Sequence, residues 1–295
     1  MNRKYVVLML LCYLSWGLQP LYWNLYSDLD SLFLLAVRAL WCAVFTVVIL
    51  AWQKRLGDLL ALFRNGRIMR FLVPATVFLL TDWGVYTVAV RSGHILDSSL
   101  GYYLNPLVTF FIGLFLFREK CRWPQYLALG LAVMGVVISA VGFGGFSWFT
   151  AILALAWAFY ATFQKLADVD SMLSIAAETL ILAPFMILFL LLFRTGDNGL
   201  ASLTAMKQFY LIGSGLVTAL PMLLFSACVR KVPLSVMSFF QYLSPTFSIF
   251  AGLLIGETVT PAKWVSFLFI WAGIAVFTIS TYVADRKKTA PPAPV

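Results

Sequence analysis

Residues 91–106 read RSGHILDSSLGYYLNP, and residues 230–245 read RKVPLSVMSFFQYLSP. Laid on each other without gaps, the two segments share more residues than their composition alone should give. The matched pairs are Arg91 with Arg230, Ser99 with Ser238, Tyr103 with Tyr242, Leu104 with Leu243, and Pro106 with Pro245. At nearly the same offset, Trp16 matches Trp157 and Arg38 matches Glu178. The chain therefore contains an internal duplication.

Around these segments the chain is a series of apolar runs, each long enough to span the hydrocarbon core of a bilayer. They lie at about 5–26, 32–52, 71–90, 95–117, 124–142, 147–165, 172–193, 208–228, 233–256 and 263–284. The runs are apolar all round and show no strand-like alternation, which excludes an outer-membrane barrel. We expect an all-α polytopic membrane protein with ten transmembrane helices.

Each repeat holds five predicted spans, and this odd number makes the second repeat enter the membrane from the opposite side. We expect two inverted five-helix repeats, residues 1–143 with spans one to five and residues 144–288 with spans six to ten. The proline-rich tail, residues 289–295, is expected to be disordered and cytoplasmic. Inverted repeats can exchange conformations around a site near the midplane, which predicts transport. A duplication used only for packing is the other explanation.

Composition and charge agree with a lipid environment. The chain is 62% hydrophobic and 11% charged, whereas soluble domains are about half apolar and about one quarter charged. Sixteen of the 21 Lys and Arg residues fall on the side of the amino terminus, four fall on the other side, and Arg38 lies within a span. This bias predicts that both termini are cytoplasmic. It also explains the net charge of +9 without a nucleic-acid partner.

No motif predicts an enzyme. The sequence lacks a Walker loop, an HExxH zinc site and a GxSxG elbow. Cys12, Cys42, Cys121 and Cys228 have no paired or metal-like spacing, which predicts neither a disulfide nor zinc. We therefore expect no cofactor, no metal and no ATP-driven step, so that energy comes from an ion gradient or from the substrate gradient.

Several short segments carry a family resemblance. They are YLSWGLQPLYW (13–23), SLGYYLNPL (99–107), AAETLILAP (176–184), FFQYLSPTF (239–247) and Ile255-Gly256-Glu257. Together they resemble the RarD permeases of the EamA type, within the drug/metabolite transporter superfamily. The resemblance covers essentially the whole chain, and it implies ten helices, paired EamA repeats and a bacterial inner (cytoplasmic) membrane.

The resemblance does not select a substrate. RarD proteins carry a label of chloramphenicol sensitivity, and relatives in the superfamily export amino acids, metabolites or drugs. The sequence also departs from a clean repeat at Glu257, whose counterpart falls near Arg118 and Glu119. A shared role for these positions is therefore not expected.

Two predicted spans carry charges at depth. Arg38 lies about seven residues into the second span, on the order of 10 Å below the outer surface. Asp82 in the third span has a similar predicted depth and is the expected partner of Arg38. A charge at this depth costs at least about 2.5 kcal/mol in lipid, so both side chains should face a cavity or each other. The pair either contacts substrate or a gate, or it fixes helix packing.

Glu178 enters the seventh span from the cytoplasmic side, in the opposite half of the bilayer from Arg38. A direct bridge between the two is therefore not expected. Because burial disfavours a charged carboxylate, Glu178 is a candidate proton acceptor for coupled transport. A structural pair with Lys165, at the end of the sixth span, is the alternative.

Pro106 and Pro245 lie within the fourth and ninth spans and remove helix hydrogen bonds to the carbonyls of Tyr102 and Gln241, which predicts two matched kinks bordering a cavity. Polar groups around them are expected to line it: Tyr102, Tyr103, Asn105, Gln241 and Tyr242. Aromatic walls are expected from Trp16, Trp83, Tyr86, Trp157 and Tyr160. For any single aromatic residue, a lipid belt or helix packing is the competing explanation.

His94 and Asp97 begin the fourth span, three residues apart and on one helical face. They form either a pH-sensitive outer gate or an ordinary polar cluster at a helix end.

The sequence as a whole predicts a secondary transporter, an exporter or permease, that moves a small metabolite or drug by alternating access. Protons are a candidate coupling ion, and the protein is expected to be a monomer or a homodimer. A membrane scaffold or assembly factor that transports nothing is the main alternative. An intramembrane enzyme is the third, and it lacks any recognisable catalytic constellation.

Overall fold

The computed structural model describes residues 3–26, 29–91, 95–142, 147–192, 203–254 and 261–289, with side-chain surroundings at all of these except 90, 91, 95–99, 263 and 281–289. Regular structure in these residues is helical throughout. The elements are α1 (Arg3–Trp23), a 3-10 helix (Asn24–Tyr26), α2 (Ser31–Trp52), α3 (Leu56–Arg64), α4 (Gly66–Arg91), α5 (Ile95–Phe115), α6 (Trp123–Gly142), α7 (Trp148–Ala167), α8 (Ser171–Leu192), α9 (Ala205–Val229), α10 (Leu234–Gln241), α11 (Leu243–Leu254) and α12 (Pro261–Thr289).

The predicted apolar runs coincide with helices. Within the described residues, seven helices are long and apolar enough to cross a membrane, namely α1, α2, α4, α6, α7, α8 and α9. Shorter apolar stretches occupy residues 100–115 of α5 and 264–280 of α12. The chain is therefore an all-helical membrane protein, as its composition predicted.

The helices differ from the predicted runs in two places. A short helix that no apolar run predicted, α3, connects α2 to α4. The predicted ninth span is two helices, α10 and α11, separated at Tyr242. In contrast, α5 continues as helix through Pro106. The predicted matched kinks therefore differ in form, because only the helix before Pro245 is interrupted.

Polar residues at helix ends set several of the boundaries. Asp30 begins α2, and its Oδ1 atom accepts hydrogen bonds from the backbone N–H groups of Leu32 and Phe33, each at 2.9 Å. Ser147 and Thr204 cap α7 and α9 in the same way. Such caps satisfy N–H groups that the first helical turn leaves unpaired. Capping thus fixes where these helices start.

Helices of the first half pack mainly on helices of the second half. In the first half, α1 packs on α9 and α11, α2 packs on α8 and α9, α4 packs on α7 and α8, and α5 packs on α7 and α10. The longest shared interface joins α6 to α12. In span order the counterparts are α1 and α7, α2 and α8, α4 and α9, α5 and the pair α10 and α11, and α6 and α12. If each helix is replaced by its counterpart, the same set of contacts results.

The α6 and α12 interface depends on two glycines that the repeat places in matched positions. A Cβ atom on Gly135 would lie 2.8 Å from the carbonyl oxygen of Ser266, and one on Gly273 would lie 2.8 Å from that of Ala128. The hydroxyl of Ser266 donates a hydrogen bond to the carbonyl of Gly135 at 2.7 Å. Small residues let helices approach closely where lipid supplies little hydrophobic driving force.

Candidate functional site

Arg38 lies on α2 between two tryptophan rings. Its guanidinium carbon is 5.2 Å from the ring centroid of Trp23 and 4.9 Å from that of Trp83. Contacts of this kind stabilise a guanidinium that has left water. The Nε atom of Arg38 is buried and has no hydrogen-bond partner in the part of the chain that the structure describes. One donor of the arginine therefore remains unused in this conformation.

Asp82 lies on the adjacent helix α4 and is 2% exposed. It is close enough to Arg38 for their charges to interact. Its Oδ1 atom nevertheless has no hydrogen-bond partner among the described residues. The structure thus brings the two predicted partners into one region without a salt bridge between them, and it leaves one polar atom of each without a hydrogen bond among the described residues.

Tyr86 and Tyr102 complete this region from α4 and α5. Their ring centroids are 5.5 Å apart, and both hydroxyls lie within electrostatic range of the Arg38 guanidinium. The region therefore combines a cation, a carboxyl group, two phenols and the rings of Trp23 and Trp83. We call these six residues the Arg38 cluster.

Two neighbours on α5 make contacts between helices instead. With its amide nitrogen facing α7, Asn105 donates hydrogen bonds to the carbonyls of Leu153 and Ala154, each at 2.9 Å. Tyr103 packs edge to face on Phe267 of α12, with ring centroids 5.3 Å apart. In this conformation both side chains hold α5 to the second half of the chain.

Glu178 on α8 is fully buried and lies in a complete hydrogen-bond network. Tyr160 donates to its Oε2 atom at 3.3 Å, and Ser174 donates to its Oε1 atom at 3.2 Å. The amide nitrogen of Gln164 donates to Oε1 as well and to the Tyr160 hydroxyl at 3.0 Å. Ser226 on α9 closes the network by donating to the Gln164 carbonyl at 3.3 Å. We call these five residues the Glu178 network.

The sequence interpretation missed three members of this network: Gln164, Ser174 and Ser226. A signal for two of them was present, because Gln164 lies one helical turn after Tyr160, and Ser174 lies one turn before Glu178. Ser226 comes from a distant segment, and no local spacing indicates its contact. Polar residues one turn from a buried charge are therefore the useful signal in an apolar span.

Lys165 does not reach into the Glu178 network, contrary to the alternative considered from the sequence. Its Nζ atom donates to the carbonyls of Val232 at 2.7 Å and Val229 at 3.3 Å. It also lies 3.8 Å from Glu119 Oε1 and 5.4 Å from the ring centroid of Phe117. The physical reason is that the free carbonyls at the end of α9 and the carboxylate of Glu119 all lie at the end of α7.

Glu119, which lies between α5 and α6, connects the two halves of the chain near the end of α7. Its two carboxylate oxygens accept hydrogen bonds from the backbone N–H groups of Leu234 at 2.8 Å and Ser235 at 2.9 Å. These are the first N–H groups of α10, whose own N-cap residue, Pro233, makes no side-chain cap. Lys165 of α7 contacts the end of α9, and Glu119, between α5 and α6, contacts the start of α10. We call these contacts, together with the ion pair between the two side chains, the Lys165–Glu119 latch.

An aromatic cluster lies at the contact between α1 and α7. Trp16 and Trp157 meet with ring centroids 5.1 Å apart, and Phe225 lies 5.7 Å from Trp16 and 5.1 Å from Trp157. Tyr160 stacks on Phe225 at 5.8 Å and extends the cluster to Glu178. Predicted aromatic residues from both repeats therefore meet beside the buried carboxyl group.

The interruption between α10 and α11 carries two predicted polar residues. The Oε1 atom of Gln241 and the hydroxyl of Tyr242 are buried, and neither has a hydrogen-bond partner among the described residues. Tyr242 packs in the same apolar cluster as Tyr103 and Phe267. These groups lie near the centre of the ninth predicted span, in buried surroundings.

The described cavity, of about 360 Å³, is a different feature. It is lined by apolar residues of α2, α4 and α7 together with Thr81 and Gly84, and neither Arg38, Asp82 nor Glu178 lines it. A polar chamber shared by the two halves thus stays a prediction. His94 lies outside the described residues, as does Glu257, and so do the side-chain surroundings of Asp97.

Comparison with known proteins gives the class. The sequence pattern of the EamA-like transporter family matches residues 3–141 and again residues 145–279. The chain therefore belongs to the EamA-like transporter family, which is a family of membrane transporters and not of enzymes. The two matched stretches correspond to the two halves of the internal duplication.

Individual relatives narrow the class. An uncharacterized transporter of Pseudomonas aeruginosa is 33% identical over 98% of both chains. Protein RarD of Streptomyces exfoliatus is 32% identical over 94% of this chain and 89% of its own length. A crystal structure of a protein with 17% identity superimposes with a TM-score of 0.75 and covers 94% of this chain and 98% of its own. This structural likeness shows the fold alone. The sequence comparisons show that the chain is a multi-pass membrane protein related to bacterial RarD transporters.

Proposed function

We propose that this protein is a secondary transporter that moves a small metabolite or drug across the bacterial inner membrane by alternating access. The moving parts are two inverted five-helix repeats, residues 1–143 and 144–288, with ten spans in total and both termini in the cytoplasm. In this assignment α10 and α11 form the ninth span, α3 lies outside the spans, and residues 289–295 form a cytoplasmic tail.

One observation carries this proposal. Trp23 and Gln164 occupy matched positions in the first span of each repeat, as Trp16 and Trp157 do, and Arg38 and Glu178 are matched in the second span. In the first half, Trp23 contacts Arg38 and donates to Gln19 at 3.4 Å. In the second half, Gln164 donates to Glu178 and to Tyr160, which is the counterpart of Gln19.

In both halves an ionisable residue thus contacts the later of two matched positions in the preceding span, and that position hydrogen-bonds to the earlier one. The two ionisable residues have opposite sign. Two copies of one arrangement that face opposite ends of the membrane are what exchange between two states requires. The helix contacts, which stay the same when each helix is replaced by its counterpart in the other half, support the same symmetry. A duplication kept only for packing gives no reason for buried ionisable groups at both matched positions.

Separate roles follow for the two charged regions. The Arg38 cluster, with unbonded polar atoms on Arg38 and Asp82 between aromatic rings, is proposed to bind substrate. The Glu178 network surrounds one carboxyl group with hydroxyls and an amide, which can rotate to serve either its protonated or its ionised form. Glu178 is therefore proposed as the proton-coupling residue. Gln241 and Tyr242 at the ninth-span interruption extend the substrate path.

The Lys165–Glu119 latch is proposed to close the cytoplasmic end in this conformation. It ties the connection after α5 to the end of α7 and to the start of α10, so opening that end requires these contacts to separate. The ion pair is partly exposed, with 17% and 12% of the two side chains accessible. Water at its edge makes separation less costly than for a fully buried pair.

Flux measurements in proteoliposomes test the proposal. A panel of labelled metabolites and drugs is compared in vesicles with protein and in empty vesicles, with and without an inward or outward proton gradient. We expect faster flux of at least one solute, reduced by neutral substitution of Arg38, Asp82 or Glu178. The scaffold alternative predicts no flux and normal folding of all three variants. That outcome would contradict transport.

A further inference from the structure

The connection from α2 to α4 holds the short helix α3, which has no part in the transport roles proposed above. Leu59 and Leu62 on one face of α3 are buried in a cluster with Leu50, Leu72 and Leu173 of the neighbouring helices. Arg55 at the start of α3 lies 3.2 Å from both Asp58 and Asp170. Asn65 ends α3 and caps α4 through the N–H groups of residues 67 and 68. The helix is therefore fixed at both ends and along one side.

Next to this buried face, exposed apolar residues continue from the end of α2 onto α3. Leu56 and Leu60, one turn apart on α3, are 39% and 61% exposed, and Trp52, the last residue of α2, is 85% exposed. We call these three residues the apolar row. Such a row is unfavourable in water. At the edge of a bilayer it fits the boundary between headgroups and acyl chains, where tryptophan is enriched.

Cations border this row. Lys54, Arg64 and Arg67 are exposed, and none of them forms a salt bridge with the described residues. Arg70, one turn further, lies with its guanidinium carbon 4.6 Å from the ring centroid of Phe71. Residues 54–70 contain a single acidic residue, Asp58, and Arg55 already pairs with it. Lys54, Arg64, Arg67 and Arg70 therefore have no carboxylate partner among the described residues.

We propose that this surface, Trp52, Lys54, Leu56, Leu60, Arg64 and Arg67, binds the headgroups of anionic phospholipids. The apolar row enters the acyl boundary, and the three cations contact lipid phosphates. The ligand must offer negative charge beside hydrocarbon, which a soluble anion or a nucleic acid does not. Because α3 packs on α4 and α8, bound lipid stabilises the contact between the two halves at this end.

Lipid binding and stability test this proposal without a transport assay. The full chain is placed in nanodiscs of phosphatidylcholine with increasing phosphatidylglycerol, and retained lipid is counted by native mass spectrometry while thermal unfolding is followed. We expect phosphatidylglycerol to be retained selectively and to raise the unfolding temperature, with both effects reduced by salt. Equal retention of both lipids would overturn the proposal.

Matched variants locate the site. The triple variant Lys54→Gln, Arg64→Gln, Arg67→Gln should lose about fivefold in phosphatidylglycerol affinity for each cation removed. The control removes the same charge from exposed cations elsewhere, Lys120→Gln, Arg122→Gln and Lys231→Gln, and should lose little. Equal losses in both variants, or binding of a nucleic acid or soluble polyanion as strong as that of lipid, would contradict it. If the triple variant fails to fold, the lipid and salt dependence of the wild-type protein still decides.

Discussion

Trp16 and Trp157 occupy matched positions in the two repeats and meet edge to face, with ring centroids 5.1 Å apart and an angle of 85° between the rings. Residues related by a two-fold axis contact each other only where they lie close to that axis. The pair therefore marks the place where the proposed axis passes between α1 and α7. It lies beside Tyr160 and so connects the axis to the Glu178 network.

This position predicts energetic coupling between the two rings. Trp16→Leu and Trp157→Leu should each destabilise the protein, and the double variant should lose less than the sum by about 1 kcal/mol, the additional stabilisation of an edge-to-face pair. Unfolding in detergent measures all four proteins of this cycle. Additive losses would show that the rings pack independently. Phe115→Leu, at an exposed aromatic residue, provides a control for loss of ring area.

Glu178 is predicted to separate coupling from folding. Glu178→Gln keeps the size of the side chain and part of its hydrogen bonding, so the protein should fold normally and lose the proton dependence of its flux. Glu178→Ala leaves the Gln164 amide and the Ser174 hydroxyl short of a partner and should cost about 1–3 kcal/mol of unfolding free energy. Flux at matched inner and outer pH, with and without a proton gradient, measures the first effect. A proton-dependent Glu178→Gln protein would exclude this residue as the coupling group.

The Lys165–Glu119 latch is predicted to stabilise the observed conformation. Lys165→Met removes the donor to two backbone carbonyls and leaves Glu119 without its cation, so we expect a loss of about 2 kcal/mol. Lys120→Met is the matched control, since Lys120 is exposed, and its effect should stay within about 0.5 kcal/mol. Thermal unfolding in detergent compares the two. Equal stability of both variants would show that the latch contributes nothing.

The native Cys121 offers a way to hold the latch closed with a disulfide bond. The side chains of Cys121 and Ser235 interact, so Ser235→Cys should form a disulfide with Cys121 under mild oxidation. Flux should stop and should return on reduction, whereas oxidised wild-type protein should remain active. Burial raises the pKa of the Cys121 thiol, and disulfide formation needs the thiolate. The rate of locking should therefore rise with pH. Full flux through the oxidised variant would show that this end does not open.

Substrate contact is predicted at the Arg38 cluster. Arg38→Gln and Asp82→Asn should each lower flux at least about tenfold, the effect of losing about 1.4 kcal/mol of interaction, while the yield of folded protein is retained. Asp58→Asn, at an exposed carboxylate that pairs with Arg55, is the control and should transport normally. Proteoliposome flux and size-exclusion profiles measure both properties. Wild-type flux in Arg38→Gln and Asp82→Asn would limit this cluster to helix packing.

The sequence predicted the helices well because the membrane imposes a simple rule on length and hydrophobicity. It missed α3 because that helix is short, amphipathic and surrounded by cations such as Lys54 and Arg64. It also missed the interruption at Tyr242, which lies three residues before Pro245 and not at the proline itself. Local breaks depend on which backbone groups find other partners, and this is not visible in hydropathy.

The candidate site was less accessible from the sequence. Arg38, Asp82 and Glu178 stand out because charges within apolar spans are costly, and the structure places Arg38 near Asp82. The partners of Lys165 were wrong, because the carbonyls of Val229 and Val232 come from a connection more than sixty residues away. Contacts between distant segments require the arrangement of the helices, which spacing alone does not provide.

Reciprocal motion of the two ends is the most direct test of alternating access. Spin labels at Gly57→Cys and Lys231→Cys report the predicted cytoplasmic end, and labels at Val141→Cys and Met206→Cys report the outer end. Distance distributions are measured for both pairs in nanodiscs across a range of pH. We predict two distance populations at each end. The population with the longer distance should increase at one end as the corresponding population decreases at the other. A single unchanged distance at both ends, or simultaneous widening of both, would contradict the account.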